Sequence, residues 1–88
     1  MREFEFVMKD PIGLHARPAG RLVKEASRYA SRITLTANGK SVEATRLLAL
    51  MGLRIRTGTS VKVTVEGADE VECAEAMKEF FEKGEGDR

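Results

Sequence analysis

Arg32-Ile33-Thr34-Leu35-Thr36-Ala37-Asn38-Gly39-Lys40-Ser41-Val42-Glu43 reads as a β-hairpin, and the architecture builds outward from it. Ile33, Leu35 and Ala37 alternate with Arg32, Thr34 and Thr36. A period of two gives a strand one apolar and one polar face. Asn38-Gly39 is the pair a tight hairpin turn prefers, because both central positions need positive φ. Lys40 to Glu43 then returns as a short strand. Downstream, Val61, Val63 and Val65 alternate with Lys62, Thr64 and Glu66, which predicts another strand. Upstream, Phe4, Phe6 and Met8 alternate with Glu3, Glu5 and Val7, which predicts the first.

The segments between strands carry a different period. Ala19, Leu22, Val23, Ala26 and Ala30 recur at three- and four-residue spacing. This predicts an amphipathic helix from about Ala16 to Tyr29, with Arg21, Lys24, Glu25 and Arg28 on its polar face. Leu47, Leu48, Leu50 and Met51 predict a short helix, capped by Thr45 and stopped by Gly52. Leu50 is expected in the core, and at least two of Leu47, Leu48 and Met51 outside it. Cys73, Ala76, Met77, Phe80 and Phe81 supply the inner face of a last helix, with Asp69 as its cap. Lys83 to Arg88 reads as a polar, frayed tail. The order is βαββαβα. Strands with one polar face each predict an α+β open-faced β-sandwich: a four-stranded antiparallel sheet with three helices on one face. Residues 1–88 are read as a single domain.

Composition narrows the function classes. The chain has 88 residues, 42% hydrophobic and 33% charged, which suits a folded domain with one thin core. A formal net charge of +1 argues against general nucleic-acid binding. Cys73 is the only cysteine, so no internal disulfide is possible and a reducing, cytoplasmic setting is expected. One His and one Cys make no zinc set, so no metal is expected. The charged N-terminus does not read as a signal peptide, and no apolar run suggests membrane insertion.

The chemistry concentrates in Gly13-Leu14-His15-Ala16-Arg17-Pro18, which holds the only histidine. The spacing places His15 at the mouth of the first helix. Helix N-termini carry partial positive charge and unpaired N–H groups. There a neutral, nucleophilic imidazole is favoured over imidazolium. A phosphoryl group on it would be met by the backbone N–H groups of Ala16 and Arg17 and by the Arg17 guanidinium. Pro18 fits the first turn, where a missing N–H is tolerated. On these arguments alone, His15 could equally be a surface residue that happens to precede a helix. A small hydrolase using His15 as general base lacks a visible nucleophile.

Gly13-Leu14-His15-Ala16-Arg17-Pro18-Ala19 resembles the active-site signature of the histidine-containing phosphocarrier (HPr) family of the bacterial phosphotransferase system. The resemblance extends through Asn38-Gly39-Lys40, Leu47 to Leu53, Gly58-Thr59 and Val65-Glu66-Gly67, covering Phe4 to Phe81. It implies that Nδ1 of His15 accepts a phosphoryl group from Enzyme I and that phospho-His15 donates to an EIIA domain for sugar uptake. Arg17 would neutralise the group. The chain would be a stoichiometric carrier without cofactor, expected as a monomer, and not an enzyme in its own right. Ala16, Gly20, Arg21, Lys24, Leu47, Leu48, Met51 and Arg54 are the expected partner surface, an apolar patch with a basic rim.

Two positions depart from that family. Many members carry a regulatory serine where this chain has Arg46, so kinase regulation at that site is not expected. Arg54 stands where glycine is usual. A side chain there either constrains the loop facing His15 or adds a cation for the phosphoryl group, and both readings stay open. Ala44 to Leu53 also resembles the nitrogen-branch homologue. The competing function is therefore a nitrogen-branch or purely regulatory protein that acts by docking.

Overall fold

A computed structural model of the chain describes residues 1–82. The elements run β1 (Arg2–Val7), α1 (Ala16–Ala26), β2 (Arg32–Ala37), β3 (Lys40–Glu43), α2 (Leu47–Gly52), β4 (Ser60–Glu66) and α3 (Glu70–Glu82). The four strands form one antiparallel sheet in the order β1-β4-β2-β3. In register, Phe6 faces Val61 across β1 and β4, and Leu35 faces Val63 across β2 and β4. The β2–β3 hairpin turns at Asn38 (φ 52°) and Gly39 (φ 80°), the positive-φ pair its sequence requires.

Alternation puts Ile33, Leu35, Val61, Val63 and Val65 into the core under the helices. Leu22 from α1, Leu50 from α2, and Cys73 and Met77 from α3 close over them. The other sheet face is polar, with the exposed ion pairs Lys62–Glu3 (3.0 Å) and Arg32–Glu43 (3.3 Å). Such pairs contribute little to stability. Phe6 stacks on Phe81 at 4.2 Å between ring centroids, and Phe80 meets Phe81 edge-on at 5.2 Å, joining α3 to β1. Among the described residues, no helix is long and apolar enough to cross a membrane.

Two local expectations need correction, the end of α1 and the cap of α2. Helix α1 ends at Ala26, not near Tyr29. The Ser27 hydroxyl donates to Val23 O, and the N–H groups of Ala30 and Ser31 donate to the Asp69 carboxylate, so the chain is drawn off the helix axis. Asp69 therefore ties α3 to the start of β2, while Glu70 Oε1 accepts from Gly67 N–H at the head of α3. Arg46, not Thr45, is the N-cap of α2, and it makes no side-chain capping bond. Helix α2 does end at Gly52, as expected, and the chain reverses two residues later, at Arg54 with φ 56°. The expected frayed tail, Lys83 to Arg88, lies outside the described residues.

Candidate functional site

The loop from Met8 to Leu14 is stitched to the loop from Ile55 to Thr59. Met8 N–H donates to Thr59 O (2.9 Å), Gly58 N–H to Met8 O (2.8 Å), and Leu14 N–H to Ile55 O (2.9 Å). The Thr57 hydroxyl donates to Asp10 O, and Asp10 Oδ1 accepts from Ile12 N–H at 2.9 Å, closing the Asp10-Pro11 turn. Gly13 adopts φ 81° and packs directly on this second loop. A Cβ there would lie 2.8 Å from Arg56 Cα and closer still to Ile55 O, both backbone atoms that cannot swing away. Glycine is thus required twice over, for conformation and for space.

This seating aims His15. The residue is the N-cap of α1, in extended conformation (φ −105°, ψ −172°), half-buried, and its side chain makes no capping bond. The imidazole is therefore not committed to closing its own helix. Its carbonyl accepts from Ala19 N–H at 2.9 Å, so the helix begins immediately after it. Ala16 and Arg17 contribute first-turn N–H groups that have no acceptor within a helix, and Pro18, buried beneath them, has none to offer. No acidic residue stands in the first turn of α1, so the positive helix end keeps its preference for an anion. An imidazole nucleophile, two backbone donors and a guanidinium in one short segment suit the uptake of a phosphoryl group.

Beside this segment the outward side of α2 is apolar. Leu48 is 84% exposed, and Leu47 and Met51 are 39% exposed, whereas Leu50 is fully buried. Ala16 is exposed and Gly20 half-buried; a Cβ at Gly20 would touch nothing. Arg54 is exposed at the end of α2. Arg21 and Lys24 sit differently. They line a shallow groove with Glu25, Arg28 and Phe80, on the α3 side of α1.

Two contributors were not read from sequence. Ile12 is 68% exposed on the loop that carries His15. Asn38 does more than turn its hairpin: its Nδ2 donates to Leu53 O (2.8 Å) and Arg54 O (3.1 Å), holding the loop after α2. The apolar Ile12 in a turn was a visible signal. The Asn38 contact spans fifteen residues and had none.

Comparison with known proteins agrees with this geometry. A family model described as the PTS HPr component phosphorylation site matches residues 2–83. The phosphocarrier protein HPr of Mycoplasma capricolum is 38% identical over 79 residues, covering 90% of this chain and 89% of that protein. The HPr-like protein Crh of Halalkalibacterium halodurans is 41% identical over 83 residues, covering 94% of this chain and 99% of that protein. Among solved structures, HPr-C-His from Thermoanaerobacter tengcongensis aligns with a TM-score of 0.93 at 35% identity, covering 100% of this chain and 99% of that one.

Proposed function

This chain belongs to the HPr family of phosphocarriers, and from that membership we propose that it relays phosphoryl groups in a phosphoenolpyruvate-dependent phosphotransferase system, with His15 as the carrier residue. The observation that carries this reading is the placement of an imidazole, uncommitted to capping, at the N-terminus of α1. In the proposed step the Nδ1 lone pair of neutral His15 forms the N–P bond. The donor's bond to phosphorus breaks, and its electron pair stays with the donor, Enzyme I. The reverse exchange hands the group to an EIIA domain. The N–H groups of Ala16 and Arg17 and the Arg17 guanidinium hold the oxygens throughout. The chain is then a stoichiometric carrier, acting as a cytoplasmic monomer. Leu47, Leu48 and Met51 form the apolar centre of the docking face, which suits an interface that must also release.

The test is intact mass after incubation with phosphoenolpyruvate, magnesium and a compatible Enzyme I. Gain of one acid-labile phosphoryl group, absent in His15→Ala, supports the carrier role. No gain, with the same Enzyme I active on another carrier, refutes it for that system. A second reading is a regulatory protein that acts by docking alone, since the chain is about as similar to the HPr-like protein Crh (41%) as to phosphocarriers (38–40%). His15→Ala separates the two, because a docking protein keeps its effect without the imidazole. Arg46 offers no hydroxyl to a kinase under either reading.

A further inference from the structure

Among the described residues, only Asn38 and Arg54 hold positive φ without being glycine. Asn38 sits in a hairpin turn and belongs to a residue type that tolerates this conformation. Arg54 has no such local reason. It follows Leu53, the C-cap of α2, at the position where helices most often end on a left-handed glycine. Its N–H reaches back to Met51 O at 3.3 Å, and Asn38 fixes the carbonyls on both sides of its Cα. The left-handed turn is therefore imposed by the surroundings. A side chain other than that of asparagine or aspartate is strained in it.

The same turn lies beside the loop that carries His15. Leu14 N–H bonds Ile55 O, and Gly13 packs against Arg56 Cα, so the two loops approach in antiparallel sense. Continued by one residue, the pairing of 13 with 56 and 14 with 55 brings His15 and Arg54 to corresponding positions on the two loops. The Arg54 side chain is exposed and contributes nothing to the core. A strained residue whose side chain does no packing, at the loop position corresponding to that of His15, points to a role for the side chain itself.

We propose that the Arg54 guanidinium is a second phosphoryl-binding group, donating N–H bonds to the oxygens carried on His15 alongside Arg17. The proposal rests on the carrier reading of His15. Arg54 stays protonated throughout, so it exchanges no proton and breaks no bond. It favours the doubly charged phosphoryl group over the singly charged form.

Three variants test this. Arg54→Gly relieves the strain, Arg54→Asn keeps a tolerant backbone without the charge, and Arg54→Lys keeps the charge without the fork. Arg54→Gly is expected to melt about 4–8 °C higher than the wild type. The equilibrium for phosphoryl transfer from phospho-Enzyme I should fall about tenfold in Arg54→Gly and Arg54→Asn. In both, the second ionisation of the phosphoryl group, followed by ³¹P NMR, should move to higher pH. Arg54→Lys should retain part of both effects. A glycine variant with wild-type transfer equilibrium and wild-type phosphoryl ionisation overturns the proposal, as does one that gains no stability. If the wild type takes nothing from Enzyme I, the carrier reading fails separately. Titration of the unphosphorylated proteins with inorganic phosphate, read at the His15 ring, then decides: weaker binding by Arg54→Gly supports the role, and equal affinity ends it.

Discussion

His15 and Arg17 are two residues apart, yet the helix start gives them different tasks. His15 lies outside the helix and presents its ring; Arg17 lies inside the first turn and presents a cation. Arg17 is exposed, so its loss should hardly touch the core. Arg17→Ala is expected to slow phosphoryl transfer from Enzyme I by tenfold or more, on the order of one lost charge-assisted bond, with Tm nearly unchanged. Parallel transfer assays and melting curves check this; a large drop in Tm with normal transfer would contradict it. Cys73 shows the opposite balance. It is fully buried against the sheet, and burial pushes its thiol pKa up to about 11. Thiolate is the reactive form, so the native protein should resist a thiol reagent and react promptly once unfolded in denaturant.

Helices α2 and α3 carry the next set of consequences. Helix α2 is only six residues long and has one core leucine, so its outward leucines are free for contact. Leu48→Ser should change stability by no more than about 0.5 kcal/mol. It should nevertheless weaken the complex with Enzyme I, a contrast that calorimetric titration can read. At α3, the Asp69 carboxylate bonds the Ser31 hydroxyl and the N–H groups of Ala30 and Ser31, and these bonds lower its pKa below the ordinary 3.8. Glu70 is lowered too, first by its bond to the chain's N-terminal amine (2.8 Å) and then by Gly67 N–H. Both carboxylates bind a proton more weakly when folded. Their stabilisation is therefore complete above the unfolded value and is lost as pH falls through the lowered folded value. Asp69→Ala should melt at a lower temperature than the wild type at pH 7. The gap should narrow as the pH is taken further below the ordinary value of 3.8, because the folded-state carboxyl protonates only there. A gap of constant size across that range would show that Asp69 does not supply this acid sensitivity.

For the molecule as a whole, one thin core supports both the fold and the site. Leu35 is fully buried at the centre of the sheet, between β3 and β4 in strand order. Leu35→Ala should cost about 2–5 kcal/mol. Against a total of roughly 5–15 kcal/mol for a domain, that is a large share, and urea unfolding would measure it. The site depends on the same core at a distance. His15 is positioned by a loop seated on residues 55–59, and that second loop is held by the end of α2 and by Asn38 of the hairpin.

Alternation in β1, β2 and β4, the Asn38-Gly39 turn and the order of the elements were legible in the chain, because each is a local pattern of polarity or backbone preference. So were His15 at a helix start, Leu50 inward and at least two of Leu47, Leu48 and Met51 outward. The end of α1 was not legible. The end of α1 is set by a carboxylate 39 residues away from Ala30, and no local signal competes with that bond. Gly52 marked the stop of α2 correctly, but not the reversal after it. The reversal falls at Arg54 because Asn38 and the seating of Ile55 on Leu14 demand a left-handed residue there. Local sequence determined which elements form and which face each buries. Tertiary contact decided where α1 stops and how the loops beside His15 are seated, because a loop takes its conformation from bonds to partners remote in the chain.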